Sequence, residues 1–253
     1  MISFKRRLQL AFSSGPAFLF LRLFALAFAG TYRLRTPQAD WFDNPAFNAY
    51  LRRFGEQYSL NSDRRWMLYQ LLRAVADVEG DTAECGVFRG ASSYLICLAN
   101  AAGSKPRIHH LFDSFEGLST PVAADGAHWR EHDLSIPLEI VRANLAEFPN
   151  VAFHPGWIPA RFGEVADRRF SFVHVDVDLY EPTRDSMQFF YPRLTAGGMI
   201  LCDDYGFGSC PGATRAVDEY LADKPEKMIN LSDGGGFLIK GMPVRPPIPL
   251  PAG

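Results

Sequence analysis

Two apolar runs of β type end on aspartates: Phe170–Asp176 reads FSFVHVD and Gly198–Asp204 reads GMILCDD. Nearly continuous apolar runs of this length belong to strands covered on both faces, as in parallel sheets layered by helices. In such sheets ligands gather outside the carboxyl ends of the strands, so Asp176, Asp203 and Asp204 are delivered to one binding edge. Three carboxylates at one point suit a hard cation such as Mg²⁺, which takes oxygen ligands and leaves positions open for water or substrate. Aspartate is also favoured in turns and at helix starts. A single Asp would be read that way, but the group, with Asp178 and Tyr180 close by, reads as a site.

The rest of the chain fits the same plan. Ser62 is placed to cap a helix running to Val78, with Trp66, Leu68, Leu71, Leu72 and Val75 as its apolar stripe. Strands are expected at 82–87, 107–113, 151–154, 170–176 and 198–202. Helices are expected between them at 91–101, 136–148, 182–194 and 213–222. The last two runs, 227–231 and 236–240, are separated only by Ser232-Asp233-Gly234-Gly235. That link suffices for a hairpin and is too short for a parallel crossover. The expected fold is α/β and Rossmann-like: a seven-stranded, mostly parallel sheet with its last strand antiparallel and helices on both faces. Residues 1–60 read as an N-terminal extension, 61–242 as the main domain and 243–253 as a proline-rich tail.

With 253 residues, 47% hydrophobic, 21% charged and a net charge of −2, the chain has no basic footprint for nucleic acid, and none is expected as a partner. Cys85, Cys97, Cys202 and Cys210 lack the paired spacing of a zinc site and read as reduced thiols of a cytoplasmic protein. Near the start, Lys5, Arg6 and Arg7 precede an apolar segment over residues 16–30. A bilayer span takes about 20 apolar residues, and Arg22 interrupts this one. It reads first as an amphipathic helix packed on the body or on a second copy in a homo-oligomer. The next reading is a peripheral membrane contact, and the last a cleaved signal.

A nucleotide site is expected where the first strand runs into Glu84-Cys85-Gly86-Val87-Phe88-Arg89-Gly90, ahead of Ala91, Ser92 and Ser93. Glycines allow a sharp turn and close backbone approach, and the following helix offers free N–H groups. The full dinucleotide fingerprint is missing, so the turn alone is a weak signal. Asp113, closing the second strand before Ser114, strengthens it, because an acidic residue there can accept both ribose hydroxyls of an adenosine cofactor. The bland alternative is a sheet-edge turn held by local hydrogen bonds of Asp113 and Ser114.

The segments ECGVFRGAS, DSFEGL, HVDVDLYEPTRDSMQFFYPRL and GGMILCDDYG, with Gly212 and Ala216-Val217 beyond, resemble the macrocin O-methyltransferase family. That family, also called the TylF/MycF type, belongs to the class I S-adenosylmethionine-dependent methyltransferases, and the resemblance covers roughly half the chain. It implies Mg²⁺-dependent methyl transfer from S-adenosylmethionine to a sugar hydroxyl, commonly on a glycosylated natural product. By motif, Asp176, Asp203 and Asp204 match the family's metal ligands, Glu84 and Gly86 its cofactor pocket, and Asp113 its ribose ligand. The cofactor-binding set expected is Glu84, Gly86, Val87, Arg89, Gly90, Ser92, Asp113, Ser114, Gly156, Trp157 and Asp176. The loop 127–133 falls where the family has a mobile substrate lid.

Transfer to oxygen needs the acceptor held in line and relieved of a proton. Chelation of two adjacent hydroxyls by a metal supplies both, which makes a small-molecule glycoside or polyol with a vicinal diol the expected acceptor. His128, His132 and Asp178 are the candidate bases. His174, inside a strand, reads as a core residue with one hydrogen bond, and Tyr205 equally as packing against cofactor or substrate and as a buried sheet-edge residue. Arg89 and Arg184 read as solvated or salt-bridged. Two other readings stand beside this one: a catechol-type phenolic acceptor, and a non-catalytic membrane-associated binding protein that keeps the fold.

Overall fold

The computed structural model describes residues 44–57, 59 and 61–245, together with residues 20, 23, 24, 27, 28 and 41. The chain divides into two compact units, residues 1–52 and 53–253. In the first, Phe20, Leu23, Phe24, Ala27 and Phe28 are helical and exposed; the rest of the apolar segment 16–30 lies outside the described residues, as does the tail beyond 245. Among the described residues no helix is long and apolar enough to cross a membrane. Helix α1, Pro45–Phe54, is capped by the Asn44 side chain, whose Oδ1 accepts the N–H groups of Ala46 and Phe47, each at 3.0 Å.

The larger unit begins its regular part with α2, Ser62–Ala74, and β1, Asp81–Cys85. Next come α3, Ala91–Ala102; β2, His109–Asp113; α4, Leu138–Asn144; and β3, Val151–Pro155. The chain continues through β4, Phe170–Val175; α5, Tyr180–Phe190; β5, Leu194–Cys202; and α6, Pro211–Leu221, and closes on β6, Ile229–Asn230, and β7, Gly236–Ile239. The sheet order is β3-β2-β1-β4-β5-β7-β6, parallel except that β7 runs against both β5 and β6. The alternation and the reversed last strand are as the sequence pattern requires.

Several boundaries move, each for a physical reason. Helix α2 stops at Ala74 because Arg107 gathers the carbonyls of Val75, Ala76 and Val78 at 3.1, 2.8 and 2.5 Å. The same use of Arg107 delays β2 to His109. Ser62 does not cap α2; its hydroxyl donates to the Ser59 carbonyl. Helix α5 ends at Phe190 in a short 3₁₀ turn holding Pro192, so β5 starts at Leu194, well before Gly198.

The two sheet faces differ in chemistry. Ala83, Cys85, Val173, Val175, Ile200 and Cys202 form an apolar core with Met187 and Phe190 of α5 and Val217 and Leu221 of α6. The opposite face carries Thr82, Glu84, His109 and His174, all fully buried. All four cysteines are free and buried.

Candidate active site

At the carboxyl ends of β1, β2 and β4 the chain encloses a cavity of about 490 Å³. Its cofactor-like wall begins at Gly86, φ +79°, where a Cβ would stand 1.7 Å from the Asp176 carbonyl oxygen. Only glycine lets the ends of β1 and β4 approach this closely. The turn then carries Phe88 in the left-handed region, φ +48°, and exposes its ring at the cavity mouth. Asp113 binds this turn: Oδ2 accepts the N–H groups of Val87 and Phe88 at 2.7 and 3.2 Å, and Oδ1 accepts that of Phe115 at 2.7 Å. Burial raises its pKa against the pull of those donors. Asp113 therefore clamps two strand ends together while still lining the cavity. Ser114 makes the local bonds of the bland reading, donating to the Gly117 carbonyl and accepting from Glu116, and it also lines the cavity.

Of the residues named for the cofactor, Val87, Arg89 and Trp157 line the cavity, whereas Glu84, Gly90, Ser92 and Gly156 do not. Glu84 is fully buried, with Oε1 2.8 Å from His174 Nδ1 and Oε2 accepting the Ser93 hydroxyl. Burial alone would raise its pKa, but His109 and His174 hold it well below the usual carboxylate range. Gly90 packs against Val141 and Leu145, Ser92 is buried in the first turn of α3, and Gly156 donates its N–H to the Asp113 carbonyl at 2.9 Å.

The carboxylates divide in a way the pattern did not anticipate. Asp176, Asp178 and Asp204 line the cavity. Asp203 does not: Oδ2 is ion-paired with Arg64 of α2, and Oδ1 lies 3.5 Å from His174 Nε2. Burial would raise the Asp203 pKa, yet Arg64 and His174 keep it far below normal. His174, pushed down by burial, is lifted to about 10 by its two carboxylate neighbours. It thus bridges Glu84 and Asp203 as a buried imidazolium, a role that a lone strand histidine does not announce. The cavity-facing three have no such partner within the trio. Burial, then Asp203, raises Asp176 to about 6; burial, then Asp176, raises Asp178 to about 7; burial, Asp178 and Asp176 lift Asp204 well above normal.

Local geometry aims them. Asp204 Oδ2 accepts the N–H groups of Val177 and Asp178 at 3.1 and 2.7 Å, fixing the carboxylate across the β4–α5 turn. Within that turn Leu179 N–H reaches the Val177 carbonyl at 2.6 Å and Asp178 sits at φ +60°, a strained conformation of the kind that gathers at functional sites. Two groups among the described residues bring ligand atoms within 4.8 Å of one another: His174, Asp176 and Asp203; and Asp178, Asp204 and Cys210. Burial and the Asp204 carboxylate push the Cys210 thiol up.

Of the candidate histidines, His128 lines the cavity and His132 does not, its Nδ1 lying 3.0 Å from the Glu116 carbonyl. Tyr205 donates its hydroxyl to Asp218, and Arg184 pairs with Asp185, so both are structural. Arg64, Trp129, Phe207 and Cys210 also line the cavity and had no signature in the sequence. A second cavity, about 360 Å³ beside Lys105 and Arg107, lies toward the amino end of β2 and brings no such carboxylates together.

A seven-stranded sheet with this order and one reversed final strand, bearing a glycine turn and an acidic strand end beside it, is the class I methyltransferase fold. The macrocin-O-methyltransferase family model matches residues 57–233, more than half the chain, and the protein belongs to that family. It is 36% identical over 149 residues to the 8-demethyl-8-(2,3-dimethoxy-alpha-L-rhamnosyl)-tetracenomycin-C 4'-O-methyltransferase of Streptomyces olivaceus, covering 54% of this chain and 57% of that one. It is 32% identical over 176 residues to demethyldecarbamoylnovobiocin O-methyltransferase of Streptomyces niveus, covering 64% and 66%. The matched stretch thus spans less than two thirds of these curated relatives. Among solved structures, the O-methyltransferase NovP superposes with a TM-score of 0.61 at 27% identity, over 88% of this chain and 99% of its own. The calicheamicin methyltransferase CalS11, at 17% identity, 90% and 95% coverage and a TM-score of 0.65, shares the fold.

Proposed function

We propose that this protein transfers a methyl group from S-adenosylmethionine to one hydroxyl of a vicinal diol on the sugar of a glycosylated natural product, with Mg²⁺ held at the carboxylates. The observation that carries the reading is the meeting, in one cavity, of Asp113 and the Gly86–Phe88 turn with Asp176, Asp178 and Asp204. Membership of a family of O-methyltransferases supports the reaction, and the sugar-bearing substrate named for the Streptomyces olivaceus relative supports the acceptor class.

The residues fit a hard divalent cation by their donor chemistry. Asp176, Asp178 and Asp204 are anionic oxygen ligands lining one cavity, Asp178 and Asp204 in one close group and Asp176 in the other, and their mutual repulsion is what a cation drawing them together would relieve. One oxygen of Asp203 is ion-paired with Arg64 and the residue does not line the cavity, so we assign the third place to Asp178. A bound divalent ion would fix the two diol oxygens and lower the pKa of the one to be methylated. Asp113, with its remaining lone-pair capacity, would hold the ribose hydroxyls, and Trp157 and Phe88 would offer apolar surface to the cofactor. His128 is the proton acceptor, being the histidine that reaches the cavity. Bound S-adenosylmethionine would supply the methyl group, its sulfur leaving with the electron pair as the acceptor oxygen bonds to carbon, and His128 would take the hydroxyl proton.

The test combines calorimetry with S-adenosylhomocysteine and transfer assays on a panel of glycosides and catechols, with Mg²⁺ and with EDTA. Turnover on glycosides that EDTA abolishes is expected; preference for catechols would replace the acceptor class, and no affinity for S-adenosylhomocysteine would overturn the reading. Asp178→Asn is expected to weaken Mg²⁺ binding more than Asp203→Asn. The reverse order would return the third ligand place to Asp203.

A further inference from the structure

The loop 118–133 is closed on itself and pinned at three points. Its ends meet where Leu118 N–H donates to the Asp133 carbonyl and His132 N–H to the Leu118 carbonyl, both at 2.9 Å. Its middle is anchored by buried Asp125, whose Oδ1 accepts Tyr180 N–H at 2.6 Å and whose Oδ2 accepts Val122 N–H at 2.8 Å. The third pin is Trp129, whose indole N–H donates to Cys210 Sγ at 3.3 Å. Such a compact loop with joined ends is an Ω-loop.

The third pin points into the site. Cys210 Sγ lies 3.6 Å from Asp178 Oδ1, so one sulfur atom separates the indole edge from the carboxylates where the acceptor hydroxyls must sit. The indole N–H is engaged in that bond, and the His128 and Trp129 rings are perpendicular, with centroids 4.7 Å apart and planes at 89°. Trp129, half-buried, lines the cavity with Leu118, Leu134 and Phe207, an apolar surround beside a polar floor. A pyranose has matching halves, a hydroxyl edge and a C–H face, and large aromatic rings supply apolar area at fixed orientation.

Resting on the function proposed above, we infer that Trp129 is the platform on which the C–H face of the acceptor sugar stacks, and that Cys210 is the positioning residue that sets its direction. Trp129 then determines which sugars are accepted, while the carboxylates determine which hydroxyl reacts.

The test uses the full chain, saturating S-adenosylmethionine and 4-nitrophenyl α-L-rhamnopyranoside as probe. Trp129→Ala is expected to raise the acceptor KM about tenfold, with the Kd for S-adenosylhomocysteine little changed. Cys210→Val, which removes the acceptor atom, is expected to raise KM in the same direction, and Cys210→Ser, whose hydroxyl can take the indole N–H, to restore it. The rhamnoside is also expected to perturb indole fluorescence in the wild type and not in Trp129→Phe, a readout that survives should the alanine variant fold poorly. An unchanged KM in Trp129→Ala, or a parallel loss of cofactor affinity in both variants, overturns the inference. A wild-type protein that binds S-adenosylhomocysteine yet methylates no glycoside overturns the proposed function, and this inference with it.

Discussion

Replacing His174 by Gln removes a buried cation from between two carboxylates while keeping a side chain that can donate a hydrogen bond. His174 is fully buried, 2.8 Å from Glu84 Oε1 and 3.5 Å from Asp203 Oδ1. Its pKa of about 10, against an ordinary value near 6.5, makes the folded state the tighter proton binder. At about 1.4 kcal/mol per tenfold in proton affinity, the protonated form contributes roughly 5 kcal/mol, close to the roughly 3–5 kcal/mol lost when one partner of a buried ion pair is removed. The depressed pKa of Glu84 reports the same contact from its partner and is not added to it. Because the folded pKa is raised, the contribution is complete below pH 6.5 and fades as pH rises through about 10. Urea unfolding of wild type and His174→Gln at a series of pH values reads the difference directly. We expect a gap of roughly 4 kcal/mol at pH 6, shrinking by about 3 kcal/mol by pH 9. A gap that is below about 1 kcal/mol, or that does not change with pH, would refute the buried imidazolium.

Two glycines give independent checks. Gly86→Ala would drive a Cβ to 1.7 Å from the Asp176 carbonyl at φ +79°, so it should lower the unfolding midpoint and weaken S-adenosylhomocysteine binding together. Calorimetry on the folded fraction separates the two effects. Gly212→Ala would place a Cβ 2.0 Å from Asp125 Oδ1, evicting the carboxylate that holds Tyr180 N–H and the middle of the loop 118–133. Stability is expected to fall by about 1–3 kcal/mol and acceptor turnover to drop while cofactor affinity persists; loss of cofactor affinity instead would mean that this loop is not confined to the acceptor side.

Where the sequence was silent, the missing information was a long-range partner. Asp203 and Asp204 are adjacent, and nothing local distinguishes them, yet Arg64, 139 residues earlier, pairs with one and leaves the other to the cavity. Glu84 stands where a cofactor ligand belongs, but β1 and β4 place it directly beside His174, and the attraction turns it inward. Asp113 binds its own turn and also lines the cavity. Trp129 lies in a loop without periodicity; its placement comes from the sulfur of Cys210, the residue just before α6.

The chain by itself determined the order of strands and helices, the reversed final strand and the edge at which the aspartates gather. Apolar periodicity and turn chemistry are local properties, and they act before any distant contact forms. Tertiary structure decided which carboxylates face the cavity, because in a buried site an aspartate's orientation follows the nearest cation or N–H group. Those donors arrive from α2, β4 and the β4–α5 turn only once the sheet has assembled.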